Sequence, residues 1–147
     1  MDLTIVIVNW NTRDLLKACL TSLRDHTGDL RVQTIVVDNA SSDGSADLVR
    51  TQHQEVILVA NAENRYYAAA NNQALALAEA PFKLLLNPDI EVPTGSIETL
   101  LRFMVAHPFV GAVAPRLREP DSSIQRSCRT FPEPAIVWWE ALGLSRL

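Results

Sequence analysis

Apolar residues recur along the chain in short blocks, at 3–8, 32–37, 56–60, 82–86 and 110–114. Several of these blocks are continuous rather than alternating, the pattern of strands covered on both faces in a parallel sheet. Between them the spacing switches to a helical period. Leu16, Cys19, Leu20 and Leu23 share one face of a helix expected over 13–25, with Asn11 or Thr12 as its cap. A short second helix is expected over 45–52, behind the turn-and-cap cluster Ser41-Ser42-Asp43-Gly44. An alanine-rich third helix covers 67–79, and Ile97, Leu100, Leu101 and Met104 mark a fourth that stops at His107-Pro108. Strand–helix–strand repetition with short connections predicts an α/β fold: a mainly parallel, doubly wound sheet with flanking helices and right-handed crossovers.

Beyond residue 114 the rhythm changes. Pro115, Pro120, Pro132 and Pro134 interrupt the chain, and Asp121-Ser122-Ser123 reads as a hairpin turn. A helix carrying Trp138, Trp139, Leu142 and Leu144 is expected after Pro134. This places a domain boundary between 1–115 and 116–147.

Composition narrows the class. With 147 residues, 48% hydrophobic and 20% charged, the chain supports one packed domain. A net charge of -4 argues against a nucleic-acid binder, which carries a dominant basic surface. No apolar stretch approaches the ~20 residues of a bilayer span. The opening run follows Asp2 rather than a basic segment, so no signal peptide is expected and a cytoplasmic location is. Cys19 and Cys128 lie in no metal-type spacing and are expected to be reduced, with Cys19 on the core face of the first helix. His26, His53 and His107 fall near helix ends, where the macrodipole favours a cation, a structural rather than a chemical role.

In open α/β sheets, ligands bind beyond the carboxyl ends of the strands. The first strand is followed by Asn9-Trp10-Asn11 and the second by Asp38-Asn39. The third leads to Asn61, Asn64 and Arg65, and the fourth to Asn87-Pro88-Asp89. Four strand ends thus deliver amides, carboxylates and an arginine to one edge, although Asn and Asp also favour turns and each has a structural explanation of its own. The five glycines (28, 44, 95, 111, 143) permit neither a dinucleotide fingerprint nor a P-loop. Asp38 suits a pyrimidine, whose imide N–H a carboxylate can accept. Asp89 suits a hard divalent cation, Mg²⁺ or Mn²⁺, bridging a diphosphate; a turn aspartate ahead of a helix would look the same. Asn71 and Asn72 sit inside a helix where asparagine is a poor choice unless its amide has a partner. The free N–H groups at that helix's amino end, with Arg65, suit a diphosphate.

Taken in order, IVIVNWN (5–11), VVDNASSDGS (36–45), NAENRYYAAANNQAL (61–75), LLLNPDIEVP (84–93) and VGAVAPRL (110–117) resemble family-2 inverting glycosyltransferases of the GT-A fold, in particular the bacterial rhamnosyltransferase-like branch. The resemblance implies that Val8, Asn9 and Asn11 belong to the loop around the nucleoside. It implies that Asp38 holds the pyrimidine base with Asn39 beside it, and that Asn64, Arg65 and Asn72 line the ribose–diphosphate side. Asn87-Pro88-Asp89 resembles the family's DxD element, with Asp89 as metal ligand and Asn87 replacing the first carboxylate. Residues 1–115 would then be a nucleotide-sugar-binding domain and 116–147 the start of an acceptor-side segment. The implied reaction moves a sugar from a pyrimidine-nucleotide donor, dTDP-rhamnose in the resembled branch, to a glycan or lipid-linked acceptor with inversion.

Two departures qualify this. Similar proteins have glycine where this chain has Tyr66, which leaves two expectations: a rearranged loop or weakened donor binding. Family members also continue into a segment that supplies the catalytic base. None of Glu91, Glu98, Glu119, Asp121, Glu133 and Glu140 fits that motif, so no base is assigned and the chain is expected to be truncated on its C-terminal side. The alternative is a non-catalytic nucleotide-binding or assembly module that keeps the half-fold. A sugar nucleotidyltransferase would carry a glycine-rich basic loop after the first strand, which Asn9-Trp10-Asn11-Thr12-Arg13 lacks. Arg116, Arg118, Arg126 and Arg129 fit either a lipid-linked phosphate at the cytoplasmic face of a membrane or plain solvation. Trp138 and Trp139, if uncovered, lead to the expectation of a homodimer.

Overall fold

The computed structural model describes residues 1–125. Strands and helices alternate strictly: β1 (Leu3–Asn9), α1 (Arg13–His26), β2 (Val32–Asp38), α2 (Ser45–Gln52), β3 (Ile57–Ala60), α3 (Tyr66–Leu75), β4 (Phe82–Leu86) and α4 (Ser96–Ala106). All four strands are parallel, in the order β3-β2-β1-β4. The doubly wound α/β sheet expected from the alternation is therefore present.

Alternation of side chains along each strand separates two cores. Leu3, Ile5 and Ile7 of β1 and Val36 of β2 face α1, α2 and α4, meeting Leu16, Cys19, Leu20, Leu23, Leu48, Val49 and Ile97. Val6, Ile35 and Val37 point the other way and meet Ala70 and Ala74 of α3. Those alanines let α3 lie close over β1 and β2. Each fully buried Ile, Leu or Val contributes roughly 1.5–3 kcal/mol of transfer free energy, which makes β1, buried on both faces, the centre of the fold. The winding follows from the order. The first two crossovers step from β1 to β3 with helices on one face; the third returns to β4 with α3 on the opposite face, as right-handed connections require.

Two polar residues interrupt the apolar strands and have a shared task. The Thr4 hydroxyl donates to Gln33 Oε1 at 2.7 Å, and both residues are buried. Gln33 Oε1 also accepts the N–H of Glu79 at 3.0 Å, Gln33 Nε2 donates to the Leu77 carbonyl at 3.1 Å, and Thr4 Oγ1 accepts the N–H of Ala80 at 3.2 Å. The segment after α3 is thereby drawn onto the sheet. Helix α3 accordingly ends at Leu75, short of the expected 79, because the Leu77 carbonyl and the N–H groups of Glu79 and Ala80 bond to side chains of β1 and β2 instead of continuing the helical ladder.

The fifth expected strand, 110–114, is not formed among the described residues. Its backbone joins no ladder; Val110 donates to the His107 carbonyl at 2.9 Å in a turn, and Gly111, Ala112 and Val113 line an apolar groove with β4 and α4. An apolar run becomes a strand only where an edge accepts its hydrogen bonds. The three histidines do stand at helix ends, and Cys19 is fully buried on the core face of α1.

The chain divides into two units at Val113 and Ala114. In the second, Arg118 bridges antiparallel to Ile124, and the N–H of Glu119 bonds the Ser123 carbonyl at 2.9 Å, closing the turn expected at Asp121-Ser122-Ser123. Arg126, Cys128, Arg129, Pro132, Glu133, Pro134, Trp138, Trp139, Glu140, Leu142 and Leu144 lie outside the described residues.

Replacing Gln33 with leucine leaves the Leu77 carbonyl and the Glu79 N–H without their partner. The expected loss is about 1–3 kcal/mol in urea denaturation, with the midpoint lowered at unchanged slope. An unchanged midpoint would mean the network does not hold the end of α3.

Candidate functional site

The β1–β2 ladder ends with Asn9 opposite Asp38, both on the face that carries Ile7 and Val36. Asn9 is wholly buried. Its Nδ2 donates to Asp38 Oδ1 at 2.9 Å and to Ser41 Oγ at 3.1 Å, while its Oδ1 accepts the Thr12 hydroxyl at 2.6 Å. Asp38, 3% exposed, accepts the N–H of Ser41 on its other oxygen at 3.0 Å. A carboxylate removed from water requires such donors, and here each oxygen has one. The loops after β1 and β2 are then stitched together. Ser41 Oγ accepts the N–H of Asn11 at 2.9 Å, and Asn11 Oδ1 accepts the N–H of Ser42 at 2.8 Å. Thr12 occupies the cap position of α1, but its hydroxyl serves Asn9; the cap comes from Asp43, which accepts the N–H of Arg13 at 2.8 Å and that of Ser45 at 3.0 Å.

On the opposite face stands Asn39, buried beside Asp38. Its Oδ1 accepts Asn61 Nδ2 at 2.9 Å and the N–H of Arg65 at 3.4 Å, and Asn61 pairs reciprocally with Gln73. Arg65, exposed, occupies the cap position of α3 with no cap bond from its side chain, and the first turn holds no acidic residue. Asn64 Oδ1 accepts the N–H of Tyr66 at 2.8 Å. Of the asparagine pair, Asn71 faces inward and donates to the Tyr67 carbonyl at 2.9 Å, whereas Asn72 is exposed. Val8 is half-buried on the α3 side.

The segment after β4 rests on α1. Cys19 Sγ–H approaches the Asn87 carbonyl at 3.9 Å, Ser22 Oγ accepts the N–H of Val92 at 3.0 Å, and His26 Nδ1 bonds the Val92 carbonyl at 2.7 Å. Burial pushes the Cys19 thiol up to about 12, with the charges of Asp89 and Glu91 adding to it, so the sulfur stays protonated and unreactive. From this support Asn87 and Asp89 project into solvent.

Strand order decides which of these groups share a space. β1 is flanked by β2 on one side and β4 on the other, and successive connections reverse direction between β1 and β4, the switch point where an open α/β sheet leaves a crevice. Leu86 is level with Ile7, so Asn87 leaves the sheet one residue below the Asn9–Asp38 rung. Asp38 and the Asn87-Pro88-Asp89 turn therefore stand on one rim, on strands about 10 Å apart. Val8, Asn9, Asn11, Asn39, Asn64 and Arg65 are gathered on the same rim. Asn9 and Asp38 are turned inward, while Asn11, Arg65, Asn72, Asn87 and Asp89 are open to solvent.

Sequence reasoning gave no site role to Trp10, 57% exposed between two site asparagines, or to Tyr67 at the start of α3, and marked Tyr66 only as standing where similar proteins have glycine. An aromatic between polar residues at a strand end was the available signal. It read Ser41 and Asp43 only as a turn-and-cap cluster ahead of α2; their contacts to Asn11 and Arg13, some 30 residues away, were not legible. Three non-glycine residues with positive φ (Asn11 at 53°, Ala40 at 59° and Tyr66 at 61°) stand on this rim. Such backbone clusters at functional sites. Two grooves among the described residues lie elsewhere, one along β4 and α4 and one beside Met1, Leu30 and Val105; both are lined mainly by apolar groups and neither includes a residue of the polar rim. We place the site at the rim, because chemistry needs the converging polar groups that those grooves lack.

Burial raises the Asp43 carboxyl, but hydrogen bonds from the Ser45 hydroxyl and from the N–H groups of Arg13 and Ser45 outweigh it and hold the group below the usual aspartate value. A depressed folded value means the contribution is complete above the unfolded value of about 4 and fades as pH falls through the folded one. Asp43→Ala is expected to cost about 1 kcal/mol at pH 7, the usual worth of a helix cap, and the gap from wild type should narrow below about pH 4. Thermal melts at pH 7 and pH 3 measure it; a gap that widens in acid would contradict the assignment.

Comparison with known proteins agrees with this geometry. Residues 4–143 match the family described as Glycosyl transferase family 2. An N-acetylglucosaminyl-diphospho-decaprenol L-rhamnosyltransferase of Mycobacterium tuberculosis is 30% identical over 141 residues, covering 88% of this chain and 46% of that protein. The chain thus spans about half the length of this relative. A mannosyltransferase from Pyrobaculum calidifontis, solved with GDP-Man and Mn²⁺, superposes with a TM-score of 0.72 at 26% identity over 81% of this chain and 36% of that one. TarS 1–349 of S. aureus, solved with UDP, shares the fold at a TM-score of 0.66 and 20% identity, over 74% of this chain and 33% of that one. A match through nearly the whole chain, on a four-stranded parallel sheet with its polar rim at the switch point, leads to one conclusion: the chain belongs to glycosyl transferase family 2.

Proposed function

We propose that this chain is the nucleotide-sugar-binding part of an inverting glycosyltransferase, one that takes a pyrimidine-nucleotide donor, dTDP-rhamnose, and passes the sugar to a glycan or lipid-linked acceptor. The observation that carries the reading is the rim itself, with Asp38 on one side of β1 and Asp89 on the other, flanking the crevice. A carboxylate has about four lone-pair sites, so Asp38 can accept a pyrimidine imide N–H in addition to its two protein donors. Asn9 fixes that carboxylate from behind, and Val8 and Asn11 shape the loop around the nucleoside. Asn39 anchors the start of α3. Asn64, the Arg65 guanidinium and Asn72 lie along the ribose and diphosphate, where the amino end of α3 adds uncapped N–H groups.

Among the described residues no group of three or more His, Cys, Asp or Glu side chains could hold a metal alone. Mg²⁺ and Mn²⁺ do not need one: they are commonly held by one or two carboxylates, water and substrate phosphates. Asp89, exposed and carried on a turn fixed to α1, fits that role, with the Asn87 amide beside it. A cation held there would supply positive charge to the departing nucleoside diphosphate. Inversion also needs a carboxylate to take the acceptor proton; we assign that role to no described residue. The M. tuberculosis relative, named for a diphospho-decaprenol acceptor, supports a lipid-linked one. We therefore place the protein at the cytoplasmic face of a membrane, in peripheral contact. No helix among the described residues is long and apolar enough to cross a bilayer. The exposed Phe103, Val105 and Phe109 support a homodimer, and light scattering should give the mass of two chains; a single-chain mass across a wide concentration range would remove it.

The inward hydrogen bonds of Asp38 favour a second reading, a module that keeps the fold without binding donor. Titration calorimetry with dTDP and UDP separates the two. Binding strengthened by Mn²⁺ is expected. Asp38→Asn should weaken nucleotide by about ten-fold or more, the worth of a hydrogen bond to a charged group. Asp89→Ala should remove the Mn²⁺ effect alone. No nucleotide binding by the wild-type chain, with or without Mn²⁺, would leave the second reading.

A further inference from the structure

Tyr66 is in a position that neither its backbone nor its packing explains. Its φ is 61°, in the left-handed region that L-residues with bulky side chains avoid and glycine enters freely. Its side chain is 81% exposed, so no burial of the ring offsets that conformation. Nor is the peptide loosely held. The N–H of Tyr66 bonds Asn64 Oδ1 at 2.8 Å, and its carbonyl accepts from Asn39 Nδ2 at 3.4 Å. Asn39 is itself buried and directly follows Asp38. Two site amides therefore fix the residue in its unfavourable conformation at the rim. Folding alone would favour glycine here on both counts, and an observed outlier of this kind points to a use outside the folded core.

Resting on the nucleotide-sugar reading above, we propose that Tyr66 is a specificity-determining residue that stacks its ring on the nucleoside of the donor. The nucleoside, rather than the glycosyl group, is the partner because the Tyr66 peptide hangs from Asn39, the neighbour of the carboxylate assigned to the base. A flat, water-exposed ring fixed at its backbone contributes stacking area with little ordering cost, since only its two side-chain torsions need settle.

The test uses the full chain and three variants, read by titration with dTDP and with dTDP-rhamnose and by thermal melts without ligand. Tyr66→Phe should bind both ligands as wild type does. Tyr66→Ala should weaken both by about ten-fold, the scale of base–aromatic stacking. Tyr66→Gly should weaken both equally while raising the melting temperature by about 2–4 °C, since glycine releases the left-handed backbone. That opposition of affinity and stability is what a merely structural tyrosine would not show. Unchanged or tighter nucleotide binding in Tyr66→Gly would overturn the proposal, as would weakening confined to dTDP-rhamnose. Failure of the wild-type chain to bind either ligand would remove the nucleotide reading and this inference with it, whereas wild-type binding indifferent to Tyr66 would remove this inference alone.

Discussion

Asn9 and Asp38 meet at the last rung of the ladder between the two central strands, and the organisation of the rim depends on that meeting. A carboxylate with 3% exposure has lost its water and needs protein donors in place of it. The Asn9 amide and the Ser41 N–H supply them, and in doing so they fix the register of β1 against β2 and the path of both following loops. A one-residue slip would turn Asp38 into the alanine-lined packing under α3 and Asn9 away from it. The same pair thus sets the sheet and orients the candidate site, so stability and recognition are not separable at this point in the molecule.

The rest of the rim is arranged around the two faces of the sheet. On one, α1 supports both the Asp38 loop, through Asp43 at its amino end, and the Asp89 turn, through Cys19, Ser22 and His26 further along. On the other, α3 presents Arg65 and Tyr66 from a start fixed by Asn39 and Asn64. One helix therefore positions the two carboxylates, and the other brings the cationic and aromatic groups. Of the candidate side chains that reach solvent, Arg65 and Tyr66 have their backbone held by the buried Asn39.

Much of this was legible in the residues. The continuous apolar runs of β1 and β2, alternating with helical spacing, pointed to buried strands, and the polar residues following each run marked the rim. What was not legible depended on partners distant in the chain. Helical periodicity continues past Leu75, yet Gln33 and Thr4, far earlier in the sequence, capture the backbone of 77–80 and stop the helix. The run at 110–114 is as apolar as a strand, but apolarity says nothing of an edge to pair with. Spacing did not separate Asn71 from Asn72 either, because rotation by one residue on a helix decides which is buried. Tyr66 stood out as an anomaly of residue type; that it takes a left-handed backbone required coordinates.

The placement of β1 has a consequence for how the molecule is made. In synthesis β1 precedes both strands that flank it, β2 on one side and, much later in the chain, β4 on the other. Until β4 emerges, one edge of that intensely apolar strand has no hydrogen-bonding partner, and the α3 crossover must be laid down before the gap can close. Nascent chains stalled anywhere before β4 thus expose a bare ladder edge suited to chaperone capture or to pairing with a neighbour. A strand flanked by the later β4 waits for the whole of the α3 crossover before its second ladder can close.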